Sequence, residues 1–141
     1  MITINFNISD FNISGEDIPE VVADKILKYH IIPMQSVRNN LNIPIYPSLK
    51  SGYRSPKWEV SRKRNGQSQH CFLGLGAVDW TCADFKKNKE ALLASIIIDT
   101  NYTRIAVYDG FIHCDYKGVT HGKREVYTSD AKSNWKFLRY V

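Results

Sequence analysis

The sequence predicts one α+β domain over residues 1–141, a mostly antiparallel sheet with flanking helices. Three observations predict it. Glu20 to Asn42 and Ala83 to Ser95 carry helical signals, with apolar residues at three- and four-residue steps in the first. Asp109-Gly110 stands between two β-rich runs, a strong short-range signal for an antiparallel hairpin. A chain of 141 residues, 43% hydrophobic and 23% charged, fills one core and not two.

At the amino end, Met1 to Asn12 alternates Ile2, Ile4, Phe6 and Ile8 with polar residues, the period of a half-buried strand or an extended arm. Ser14, Glu16 and Asp17 are capping candidates, and Pro19 suits a first helical turn. Val22, Ile26 and Tyr29, flanked by Val21 and Ile31, make one face of Glu20 to Ile31 apolar. Pro33 kinks or restarts that helix, and Met34, Val37 and Leu41 extend the pattern to about Asn42. Pro44 and Pro47 bracket a short strand at Ile45-Tyr46, and Ser51-Gly52 introduces a turn. Ser55 to Gln69 is polar and reads as a long surface loop, of the kind that carries function. Leu73 to Trp80 reads as a glycine-interrupted strand and Ala83 to Ser95 as a helix. Arg104 to Tyr108 and Phe111 to Tyr116 form the hairpin, and Lys123 to Val141 is expected to pack partly as a closing strand.

Nineteen Lys and Arg against fourteen Asp and Glu leave +5 and a pI near 9.1. That charge points to nucleic acid, an anionic membrane or a wall polymer without choosing among them. The densest basic stretch, Lys57 to Arg64, reads as a solvated loop with no nucleic-acid motif, so no nucleic-acid partner is expected. No apolar run approaches the roughly 18 to 20 residues of a bilayer span, and Met1 to Phe11 has no signal-peptide pattern. The expectation is cytoplasmic synthesis without a signal peptide and no membrane span. Cys71, Cys82 and Cys114 are an odd number with no C-x-x-C pair, which favours reduced thiols serving as small apolar filler.

Two of the four histidines stand in unusual company. His70 closes the polar loop and leads into a glycine-rich apolar segment that ends in Asp79-Trp80, while His113 sits in the strand after the Asp109-Gly110 turn. A zinc ion that keeps one position open for water needs three protein ligands, usually imidazole and carboxylate, fixed by rigid strands. His70, Asp79 and His113 would supply such a set. His30 and His121 match no motif and are expected to be non-ligands, with Trp80 packed beneath the site.

Four motifs stand in order: Ser51-Gly52-Tyr53-Arg54-Ser55, Ser68-Gln69-His70, Gly76-Ala77-Val78-Asp79 and Phe111-Ile112-His113. In these, and in the run Val37 to Ile45, the chain resembles the zinc D,D-carboxypeptidase and L-alanyl-D-glutamate endopeptidase family. That family shares the hedgehog/D,D-peptidase fold and includes vancomycin-resistance dipeptidases and many phage endolysins. The resemblance covers Ile18 to Tyr116. It implies a hedgehog/D,D-peptidase-like fold, Zn2+ held by His70, Asp79 and His113, and Arg54 pairing with a substrate carboxylate. Ser68 and Gln69 are expected to order the loop or donate to the scissile carbonyl.

Two departures from the family pattern stand out. Eight residues separate His70 from Asp79 where the family has six, an insertion that a turn tip tolerates. The acidic residue that the family places three before its last histidine is Gly110 here. Asp115 is the preferred replacement base, because residues two apart share a strand face, and Asp109 is the second choice. The expected function is a monomeric zinc peptidase hydrolysing peptidoglycan stem peptides, a phage-type lysin or virion-associated wall hydrolase acting at the cell wall. The alternative is a non-catalytic zinc-containing binding or structural module of the same fold.

Overall fold

The computed structural model describes residues 5–64, 66–118 and 122–141, so His121, Ile2 and Ile4 of the sequence reading lie outside the described residues. The helix expected over Glu20 to Asn42 forms in three continuous pieces: α1 (Glu20–Ile26), a π-turn (Leu27–Ile31) and α2 (Ile32–Leu41). Pro33 explains the wide turn. It has no N–H to offer the Tyr29 carbonyl, which accepts instead from the Tyr116 hydroxyl at 2.6 Å. The extra residue in the π-turn rotates the buried face by one position. His30 is therefore fully buried, while Tyr29, expected on the apolar face, is partly exposed.

The amino-terminal alternation does not make a strand in the described residues. Ile8–Phe11 is a 3-10 turn, and the residues it anchors are Phe6 and Phe11, whose rings pack edge-on to Trp80 at 5.6 and 5.5 Å. The Ser55 to Gln69 segment is likewise not all loop. Ser55 accepts a hydrogen bond from the Trp58 backbone N–H at 3.0 Å, Pro56 fills the first turn, and α3 (Pro56–Ser61) follows.

Six strands form one sheet: β1 (Ile45–Pro47), β2 (Ala77–Cys82), β3 (Arg104–Val107), β4 (Ile112–Asp115), β5 (Glu125–Ser129) and β6 (Trp135–Tyr140). Their order is β1-β2-β4-β3-β5-β6, and only the β3–β5 pair is parallel. The sheet is thus mostly antiparallel and the chain α+β. The strand expected at Leu73 to Trp80 begins later, at Ala77, because Phe72 and Gly76 take left-handed backbone (φ 56° and 87°) and turn the chain before it. The expected closing strand is a hairpin, β5 and β6.

Alternation along the strands separates two chemistries. Val78, Trp80, Cys82, Ile105, Val107, Ile112 and Cys114 share the core with Met34 and Val37 of α2 and with Leu92 and Ile96 of α4 (Phe85–Asp99). Asp79, Arg104, His113 and Asp115 face the other way. The three cysteines are free and buried. No helix among the described residues is long and apolar enough to cross a membrane.

Candidate metal centre

The register of the sheet assembles the first two candidate ligands. Asp79 on β2 lies directly opposite His113 on β4, and His113 Nδ1 is 2.9 Å from Asp79 Oδ1. The third comes from the loop side: His70 sits in a 3-10 turn (Gln69–Cys71) and places Nε2 3.4 Å from the same Asp79 oxygen. One donor atom from each residue lies within 4.8 Å of the others, and all three side chains are buried. This group can hold a metal ion.

The Ser51-Gly52-Tyr53-Arg54-Ser55 turn is the scaffold under it. The Ser51 carbonyl accepts from the Asp79 backbone N–H at 2.9 Å, and Ser51 Oγ donates to Asp79 Oδ2 at 2.8 Å, leaving Oδ1 for the centre. The Gly52 carbonyl accepts from His70 Nδ1 at 2.9 Å, so that ring's free lone pair is on Nε2, aimed at Asp79. A Cβ at Gly52 would collide with the Phe11 backbone and side chain, which explains glycine there. The Arg54 N–H donates to the His70 carbonyl at 2.8 Å, and Ser68 Oγ accepts from the His70 N–H at 3.2 Å, which orders the loop.

His113 is fixed from behind. Its Nε2 lies 2.8 Å from Asp115 Oδ2, and Asp115 is in turn clasped by Arg104, its cross-strand neighbour, with Nη2 at 2.6 Å and Nε at 3.1 Å. An Nε2–H donated to Asp115 leaves Nδ1 to face Asp79 and His70. Metal-binding histidines are oriented in this way, by a carboxylate on the far nitrogen. Burial disfavours a charged imidazole, but hydrogen bonds to Asp115 and Asp79 outweigh it and carry the His113 pKa up to about 9. Burial likewise raises Asp79, yet the two imidazoles hold its carboxyl well below the usual range. Asp115, pushed up by burial, is brought down to about 2 by His113 and Arg104. Without an ion, a proton on His113 Nδ1 bridges it to Asp79; the donor set of two imidazole nitrogens and one carboxylate oxygen fits a divalent metal that would displace that proton.

Between His70 and Asp79 the chain makes a surface turn. Leu73 is two-thirds exposed, and the turn is tied down by His30 Nε2, 2.9 Å from the Leu75 carbonyl. The other nitrogen of His30 accepts from Tyr102 Oη at 2.7 Å, and Tyr102 Oη accepts from the Trp80 indole at 3.1 Å. His30 is therefore a satisfied core residue, and burial lowers its pKa to about 4.

The centre opens into a cleft of about 420 Å³ lined by Arg54, Ser68, Gln69, His70, Asp79 and His113. The chain matches no family model, no curated protein and no solved structure. Asp115 and Asp109 do not line this cleft. Asp115 is fully buried behind His113, and Asp109 is exposed in the turn, where it borders a neighbouring cavity with Asp130. Among the described lining residues, Asp79 is the sole carboxylate. The cleft also holds side chains that the motifs do not flag: Arg64, Arg104, Tyr108, Lys117 and Trp135. The β5–β6 hairpin supplies Trp135, which packs against His113 at 5.3 Å, lies under the Arg104 guanidinium at 4.7 Å and donates to Tyr108 Oη at 2.8 Å.

Proposed function

We propose that the chain is a zinc peptidase of the hedgehog/D,D-peptidase fold that hydrolyses peptide bonds in peptidoglycan stem peptides, as a phage-type lysin or virion-associated wall hydrolase does. The observation that carries this reading is the buried His70–Asp79–His113 group, with both imidazoles fixed so that the free nitrogen faces the Asp79 oxygen. Two nitrogens and one oxygen suit zinc with an open position. Zinc there would lower the pKa of a water and polarise a carbonyl.

The chain's own residues take the remaining roles. Arg54, with Nη2 3.6 Å from Asp79 and 3.3 Å from Ser51 Oγ, would hold a substrate carboxylate beside the centre. Ser68 and Gln69 form the adjoining rim. Asp115 orients His113, with Arg104 as its counter-charge, a role its burial suits better than proton transfer in the cleft.

One observation favours the second reading, a non-catalytic metal-holding module: no carboxylate besides Asp79 lines the cleft among the described residues, and general-base help is typically worth about 10² to 10⁴ in rate. Mass spectrometry of peptidoglycan incubated with the zinc-loaded protein decides between them. The peptidase reading expects shortened stem peptides that are absent with His113→Ala. Intact muropeptides at full zinc occupancy would select the module.

A further inference from the structure

One end of the cleft carries more positive charge than the metal centre explains. Glu59, on α3, is buried to 1% and is the single carboxylate shared by two guanidiniums: Arg64 Nη1 at 2.9 Å and Arg54 Nη1 at 4.0 Å from the same Oε2. Three guanidiniums surround the neighbouring indole of Trp58, with Arg62 at 4.3 Å, Arg64 at 5.4 Å and Arg54 at 5.8 Å from the ring centroid. The other anion within reach of Arg54 is Asp79, whose charge belongs to the metal group. Arg54 Nε is buried with no hydrogen-bond partner. Like charges held this closely by one carboxylate favour a further anion, and stacking on Trp58 has already ordered the side chains that would bind it.

We propose that Arg64, beside Arg54, forms a subsite for a second substrate carboxylate, so that the cleft takes an acidic peptide with carboxylates on two neighbouring residues. As a statement about substrate this rests on the peptidase reading; as a statement about binding it stands apart from it. Arg54 lies against the metal ligand and takes the nearer carboxylate. Arg64, 47% exposed and reaching Glu59 from the outer side, takes the one further out. Both line the cleft together with Gln67. A nucleic-acid phosphate fits this end less well, because the face of Trp58 on which a base would stack is occupied by guanidiniums.

Isothermal titration calorimetry tests the subsite with the tetrapeptide amide Ala-Ala-Glu-Glu, its Ala-Ala-Glu-Gln and Ala-Ala-Gln-Glu counterparts, and a thymidine 20-mer. All peptides are N-methylated at the peptide bonds so that binding is read without cleavage. A charge-assisted pair of this kind corresponds to about tenfold or more in affinity. The wild type is expected to bind the diacid at least tenfold tighter than either monoacid. Arg64→Gln is expected to erase the diacid's advantage over the monoacid that keeps the nearer carboxylate, leaving that monoacid's own affinity unchanged, with Arg64→Lys restoring part of the advantage. Equal binding of diacid and monoacids by the wild type overturns the proposal, as does an equal loss for all peptides in Arg64→Gln. Tighter, Arg64-dependent binding of the oligonucleotide also overturns it, in favour of nucleic acid. A diacid preference in a protein that leaves stem peptides uncut supports the subsite and overturns the peptidase reading alone.

Discussion

Asp115→Asn separates two roles for the same carboxylate. Asparagine keeps the size and one acceptor oxygen but removes the charge that Arg104 clasps at 2.6 Å and that His113 Nε2 meets at 2.8 Å. Loss of a carboxylate behind a metal-binding histidine typically costs about 10- to 100-fold in metal affinity, or roughly 1.4 to 2.7 kcal/mol. The folded chain also exchanges charge-assisted hydrogen bonds, each worth about 1.5 to 3 kcal/mol, for weaker ones to an amide. Arg104 is only 20% exposed, so water recovers little of that loss. At roughly 2 to 4 °C per kcal/mol for a domain of this size, Tm should fall by about 3 to 12 °C. Competition with a chromophoric chelator reads zinc affinity, and calorimetry of the same sample reads Tm. Zinc affinity within twofold of wild type, together with lost peptide hydrolysis, would refute the reasoning and make Asp115 the proton acceptor.

Three other perturbations follow from the packing. His30 has a folded pKa near 4 against about 6.5 unfolded, so the unfolded chain binds more protons between those values. Stability from this residue is present above pH 6.5 and lost as pH falls to 4, by about 3 kcal/mol; denaturant titrations should show His30→Gln with a flatter profile than wild type over that window. Gly76→Ala forces a Cβ into the Phe72 ring at a φ of +87°, which should cost about 2 to 4 kcal/mol, read from the urea midpoint. Arg54→Lys keeps charge but loses the planar fork, and should lower kcat/KM on stem peptides by about tenfold or more at unchanged zinc content.

Local signals were legible where chemistry and backbone coincide. Pro33, Pro44, Pro47 and Asp109-Gly110 each mark a boundary that forms, because proline and tight turns restrict the chain whatever packs on it. The His70, Asp79 and His113 set was read through the four ordered motifs and their resemblance, spacing alone being weak, and the fold brings the three side chains together. The burial of His30 in place of Tyr29 was hidden, since it depends on one extra residue in a π-turn. Asp115 was placed on the face of His113, which it meets at 2.8 Å, but its clasp by Arg104 was not foreseen. Strand alternation puts it beside His113, whereas the cross-strand register with Arg104 draws its carboxylate behind the histidine. Trp135 and Tyr108 escaped for the same reason. Their meeting depends on the β5–β6 hairpin closing parallel to β3, a long-range pairing without a local sign.

The most direct test of the central claim is anomalous X-ray diffraction, above and below the zinc edge, from crystals of protein purified without chelators. The account predicts one zinc peak per chain, bonded at about 2.0 to 2.2 Å by His70 Nε2, His113 Nδ1 and an Asp79 oxygen. Asp115 should lie on the far side of His113, away from the metal. A zinc peak elsewhere, or none at this cluster in crystals soaked with zinc, would contradict it.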